Sequence, residues 1–144
     1  MQPFPHRYIV ETTAQNQGDV EVRSDSVPDL AIAAPAEFDG PGDRWSPETL
    51  LVAAVGSCFV TTFRSIARVS GFPWTSIECQ VEGTLDRTAG GIGFTDFVIQ
   101  VDLTLSEDTT EETAQRLLEK TKKVCLITNS LRAETRLEVC AVAA

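Results

Sequence analysis

Hydrophobic and polar positions alternate over much of this chain. Phe97, Ile99, Val101, Leu103 and Leu105 fall on one parity, with Val98, Gln100, Asp102 and Thr104 on the other. That period of two predicts a strand with one face in a core. Over 76–85, Ile77, Cys79, Val81 and Leu85 repeat the pattern, and Asp86-Arg87-Thr88-Ala89-Gly90-Gly91 between the two runs reads as a hairpin connection. Nearer the start, His6–Ala14 is rich in aromatic and β-branched residues, a strand signal. Val20 and Val22 alternate with Asp19, Glu21 and Arg23, and Leu30, Ile32 and Ala34 alternate more loosely. Asn16-Gln17-Gly18-Asp19 and Ser24-Asp25-Ser26 mark the turns between them. Glu134–Val142 predicts a last strand.

The alternation stops at Ser46. From Leu50 to Phe63 there is no charged residue, and the flanks carry helix signals. Ser46 suits an N-cap, Pro47 the first helical position and Glu48 the positive helix end. Gly71, with Pro73 beyond, is a stop. A helix apolar all round predicts burial on every side. Gly56 in its middle costs about 1 kcal/mol against alanine, so something is expected to approach closely there. A second helix starts over Asp108-Thr109-Thr110-Glu111-Glu112, with Ala114, Leu117, Leu118 and Thr121 as its inner stripe, continuing to Val124 and Cys125. Lys120, Lys122 and Lys123 crowd its end, as the helix dipole favours. Thr128-Asn129-Ser130 interrupts it before the last strand. The order β-β-β-α-β-β-α-β predicts an α+β fold, with antiparallel sheets around a long buried central helix in one domain over 1–144.

Composition narrows the function. A net charge of −9 repels nucleic acid and anionic membranes. Met1-Gln2-Pro3-Phe4-Pro5 has neither the basic nor the apolar part of a secretion signal, and the Leu50–Phe63 run is too short to span a bilayer. A soluble, cytoplasmic protein is expected, without a static disulfide framework. The four cysteines, Cys58, Cys79, Cys125 and Cys140, show no zinc-ligand spacing, and the single histidine, His6, lies near the terminus. No bound metal or cofactor is expected.

Cys58 and Cys125 lie on apolar helical surfaces. Either they are inert core thiols or they are reactive, which requires a perturbed pKa. Cys79, in line with Ile77 and Val81, reads as core, and Cys140 suggests no role.

The run Ser46-Pro47-Glu48-Thr49-Leu50-Leu51-Val52-Ala53-Ala54-Val55-Gly56-Ser57-Cys58-Phe59 resembles the central helix of the OsmC/Ohr family, osmotically inducible protein C and the organic hydroperoxide resistance proteins. Val124-Cys125-Leu126-Ile127-Thr128-Asn129-Ser130-Leu131 resembles the family's second-cysteine segment. The resemblance implies a thiol peroxidase that reduces organic hydroperoxides, an antioxidant stress-response role, Cys58 as the attacking thiol and Cys125 as the resolving one. It also implies an external dithiol reductant of lipoyl type, and an arginine oriented by the helix-start glutamate, here Glu48. Peroxidases of the family carry that arginine in the first hairpin. Gln15-Asn16-Gln17-Gly18-Asp19 has none, Arg23 falls in the strand beyond, and Arg44 is the other candidate. Glu48 and Cys58 are ten positions apart, about 15 Å along one helix. An antiparallel second copy could bring Glu48 to the partner's Cys58, so an intertwined homodimer with sites at the interface is expected. A different reading keeps the fold and drops the chemistry: a protein that binds an apolar small molecule or senses redox state.

Overall fold

The computed structural model describes residues 2–106 and 109–143. The chain forms two compact units, Met1–Leu50 and Leu51–Ala144. Asp108, expected at the start of the second helix, lies outside the described residues.

In the first unit, β1 (Glu11–Ala14), β2 (Val20–Arg23) and β3 (Leu30–Ile32) form an antiparallel sheet in that order. Thr12 faces Val22, and Val20 faces Ile32. The first strand is shorter than the run of strand-forming residues from His6. The four residues of β2 offer partners only to 11–14, so Tyr8 and Ile9 stand exposed. A short 3-10 turn, Ala36–Phe38, follows β3. The N–H of Ala33 donates to the Trp45 carbonyl at 3.0 Å, which brings the end of the 35–45 loop alongside β3. There the first helix, α1 (Pro47–Ser70), is capped. Ser46 Oγ accepts from the Thr49 N–H at 3.1 Å and Thr49 Oγ1 from the Ser46 N–H at 2.9 Å. Two first-turn donors are thus satisfied reciprocally.

The second unit carries the main core. Val55, Phe59, Phe63 and Ala67 recur every four residues along α1 and are fully buried. They share a cluster with Phe97, Ile99, Val101, Leu103 and Leu105 of β5 (Gly91–Leu105). β4 (Trp74–Thr88) pairs antiparallel with β5 along nearly its whole length, and β5 is the central strand of β4-β5-β6. α1 stops as expected: Gly71 takes φ 61°, and the Phe72 N–H donates to the Ala67 carbonyl at 2.9 Å.

The close approach predicted at Gly56 comes from β4: a Cβ there would lie 3.1 Å from Val81 Cγ2. Gly83 is tighter, with Phe94, Phe97 and Val52 side chains all 2.9 Å from where a Cβ would sit.

α2 (Glu111–Val124) is capped by Thr110, whose Oγ1 accepts from the Thr113 N–H at 3.3 Å. It buries Ala114, Leu118 and Thr121. Three details differ from expectation. β6 (Glu134–Ala143) runs parallel to β5 rather than antiparallel, because α2 carries the chain back to the end where β5 began. The segment Thr128-Asn129-Ser130 belongs to a short helix, α3 (Leu126–Ser130), rather than to a break. The break falls at Cys125, whose extended backbone (φ −64°, ψ 117°) ends α2 and precedes α3.

Within one chain α1 is buried on the Val55–Ala67 stripe, while Ser57, Thr61, Arg64 and Val69 are exposed. By length and composition alone its 24 residues, with mean hydropathy 1.7 in the most apolar stretch, would also pass for a membrane span. Its stripe instead packs on β5.

The jammed Gly83 yields a test. Gly83→Ala is expected to lose about 1–3 kcal/mol by overpacking, whereas Gly93→Ala, with nothing within 4 Å of its Cβ position, stays within about 0.5 kcal/mol of the parent. Urea unfolding of both variants reads the difference.

Candidate functional site

α1 positions Cys58 directly before the buried Phe59, so its side chain sits about 100° around the helix from that ring. It is half-buried, and it meets the junction of α2 and α3. Cys125 sits at that junction, fully buried. The four cysteines are free thiols.

The two thiols are neighbours, and their surroundings push them in opposite directions. Burial opposes ionisation of Cys58. Against it stand the backbone N–H of Ile127, the Cys125 S–H, the Thr62 hydroxyl and the backbone N–H of Leu126. Together these donors hold the Cys58 pKa below its ordinary value. Thr62 Oγ1 lies 3.9 Å from Cys58 Sγ, one helical turn along. At Cys125 burial again comes first and raises the pKa. Backbone and hydroxyl contacts from Thr128 counter it in part, and donation toward Cys58 and that thiolate's charge add to the rise. Cys58 therefore ionises first, with Cys125 as a neutral donor to it. The geometry suits a nucleophilic thiolate with a protonated thiol beside it.

Cys79 packs against the core as expected. Burial, and after it the proximity of Cys125, pushes its pKa up to about 11. Cys140 is exposed on β6.

The other two candidates lie in the first unit. Arg44 is exposed. Its Nε donates to Asp19 Oδ2 at 3.0 Å and its Nη1 lies 3.1 Å from Asp43 Oδ2. Asp19 closes the first hairpin, so a guanidinium does stand at that hairpin, supplied by the 35–45 loop. Arg23 is engaged by Asp29 and Glu21. Glu48 lines a cleft of about 320 Å³ with Val20, Ile32, Ala33, Pro35, Phe38 and others. Its Oε2 is buried with no hydrogen-bond partner among the described residues.

The OsmC-like protein family model matches residues 40–139. This chain belongs to the OsmC-like protein family. The Bacillus subtilis protein YmaD is 23% identical over 137 residues, 93% of this chain and 91% of its own length. An OsmC-like protein of unknown function from Vibrio cholerae superposes with a TM-score of 0.87 at 18% identity, over 94% of this chain and 99% of that one. An organic hydroperoxide resistance protein OsmC from Legionella pneumophila reaches 0.76 at 22% identity, over 99% and 100%. At these identities the likeness establishes the fold. The α+β OsmC-like expectation holds, with the strands arranged as two three-stranded sheets.

Sequence reasoning missed the donors around Cys58. Thr62 had a signal, a hydroxyl four residues on. The N–H groups of Leu126 and Ile127 had none, because backbone direction at an unmarked helix break cannot be read from side chains.

Alkylation with iodoacetamide, mapped by peptide mass spectrometry from pH 6 to 10, checks the asymmetry. Cys58 is expected to react with a midpoint below that of a free thiol, about 8.5. Cys79, with its pKa near about 11, stays unmodified throughout. Thr62→Val moves the Cys58 midpoint upward. A Cys58 midpoint at or above 8.5 would contradict this account.

Proposed function

We propose that this protein is a thiol peroxidase that reduces organic hydroperoxides with Cys58 and Cys125. The observation that carries the reading is two free thiols placed as neighbours, Cys58 half-buried on α1 and Cys125 buried at the α2–α3 break, in a chain of the OsmC-like family; the opposed directions of their acidity agree with it. The Cys58 thiolate attacks the terminal peroxide oxygen, the O–O bond breaks, and the departing alkoxide takes a proton to leave as the alcohol. Cys58 becomes a sulfenic acid. Cys125 then condenses with it, forming the disulfide and releasing water. An external dithiol, of lipoyl type by family resemblance, returns two electrons and two protons. The half-buried setting of Cys58 favours substrates with apolar bodies. Organic hydroperoxide resistance proteins among the structural relatives support the same class.

Arg44 keeps a place as the cation near the Cys58 thiolate, and Glu48 as the carboxylate that orients it. The guanidinium at the first hairpin supports Arg44, and the unpartnered carboxylate oxygen supports Glu48. Their role rests on a second copy. The partly covered α1 and the exposed Tyr8, Ile9 and Val10 support a homodimer, read as a soluble cytoplasmic one. Sedimentation at micromolar concentration is expected to give twice the mass of one chain, and a single-chain mass sinks the dimer.

A second reading, a protein that binds an apolar small molecule, is favoured by the largely apolar cleft beside Glu48. The deciding experiment counts free thiols in denatured protein before and after one equivalent of cumene hydroperoxide. The peroxidase loses two thiols within minutes and yields a Cys58–Cys125 peptide, and Cys58→Ser loses none. Thiol counts unchanged over that time hand the lead to the binding protein. In steady state with a dithiol, Arg44→Gln is expected to lower kcat/KM about tenfold or more.

A further inference from the structure

We propose that Thr128 controls the resolving step: its buried hydroxyl fixes the peptide that follows Cys125 in the resting protein and turns to the Cys125 sulfur when that sulfur attacks. The inference rests on the peroxidase reading for its setting, but the step itself can be driven without a peroxide.

Cys125 is fully buried, yet resolution needs its sulfur as a nucleophile, and the thiolate is the nucleophilic form. The titratable groups facing it are Cys58 from α1 and Cys79 from β4. Both are thiols, and an ionised one beside Cys125 opposes its own ionisation. Help comes from Thr128.

Ser46, Thr121 and Thr128 are the polar residues buried among those described. Ser46 caps α1, and Thr121 Oγ1 donates to the Leu117 carbonyl at 2.8 Å, inside α2. Thr128 Oγ1 donates to the carbonyl of Cys125 itself at 3.1 Å. The Asn129 N–H donates to the same carbonyl at 3.1 Å. Two donors on one oxygen hold the peptide after Cys125, and with it the extended backbone from which the thiol projects. A hydroxyl has one proton to give. With Cys125 neutral, that proton lies on the carbonyl. With Cys125 ionised, the Asn129 N–H still satisfies the carbonyl, so the hydroxyl is free to rotate to the sulfur without stripping a buried acceptor. A hydrogen bond to the anion is the stronger of the two, which favours the turn.

In the step itself the Cys125 sulfur attacks the sulfenic sulfur of Cys58. The S–S bond forms, the S–O bond breaks, and the hydroxide leaves with the Cys125 proton as water. Thr128 donates to the sulfur while it carries negative charge and is itself unchanged.

The test times the two steps apart. After one equivalent of cumene hydroperoxide, loss of the Cys58 thiol reads the first step, and growth of the Cys58–Cys125 peptide reads the second. Thr128→Val is expected to leave the first step unchanged and to slow the second about tenfold or more, the scale of one hydrogen bond to a charged group. Sulfenic acid then accumulates at Cys58 and is trapped by dimedone. The pH midpoint of the second step moves upward in Thr128→Val and returns in Thr128→Ser, which keeps the hydroxyl. Thr121→Val, which deletes a buried hydroxyl about one turn before Cys125, alters neither step. A second step as fast in the valine variant as in the parent, or a slowing that serine does not relieve, overturns the proposal.

Should cumene hydroperoxide leave the Cys58 thiol of the parent intact, the peroxidase reading falls by itself, and diamide replaces the peroxide. The Cys58 thiolate adds to the N=N bond, which takes up a proton. Cys125 then attacks the Cys58 sulfur, the S–N bond breaks, and the hydrazine leaves with the Cys125 proton. The same slowing and the same rescue by serine uphold the role of Thr128. A parent that forms no Cys58–Cys125 disulfide with either oxidant overturns it. If Thr128→Val does not fold, Thr128→Ala takes its place, and loss of the fold in both makes Thr128 a folding residue and overturns the proposal.

Discussion

The structure of residues 51–144 depends on one meeting of periods. α1 presents Val55, Phe59, Phe63 and Ala67 at four-residue steps, and β5 presents Phe97, Ile99, Val101, Leu103 and Leu105 at two-residue steps. The stripe lies on β5, which among the described residues is the strand with a run of buried positions on one face. That fixes the rotation of α1, and the rotation decides which side chains remain for chemistry. Cys58, one residue before Phe59, is turned off the sheet toward the α2–α3 junction. Leu118 and Ala114, in the same cluster, hold α2, and α2 ends at Cys125. The thiol pair is a by-product of packing that the apolar residues enforce.

The break at Cys125 serves the site as much as the packing does. A continuous helix would aim the N–H groups of Leu126 and Ile127 at carbonyls one turn back. Because the chain is extended at Cys125, those two N–H groups are left over on the side of Cys58 and favour its ionised form. Helix ends always leave such donors unspent. Here they face a sulfur that can ionise. The same burial acts on both thiols, so the difference between them comes from who donates to whom.

Much of this was legible in the residues. Caps and periodicity gave α1 to within a residue at each end, and the two long strands were plain. Direction was not: alternation in Glu134–Val142 says which face is buried and nothing about which way the strand runs, so β6 was expected antiparallel. The break at Cys125 was hidden because Val124-Cys125-Leu126-Ile127 contains neither glycine nor proline and reads as continuing helix. The shortness of β1 was hidden as well, since strand length is set by the partner and not by the propensity of His6–Val10. Of the candidate site, Cys58 and Cys125 were legible as thiols on apolar helical surfaces, and the structure makes them neighbours. What distinguishes them, supplied by Thr62 and two backbone amides, carried no side-chain signal beyond the threonine.

The groups named around Cys58 are a hydroxyl, a thiol and two amides, none of them a cation. That has a consequence for behaviour in salt. A thiolate maintained by an ion pair loses acidity as mobile ions screen its partner, over about 8 Å at physiological ionic strength. Neutral dipoles carry no net charge for mobile ions to gather around. The acidity that these groups confer on Cys58 therefore persists from dilute buffer to concentrated salt.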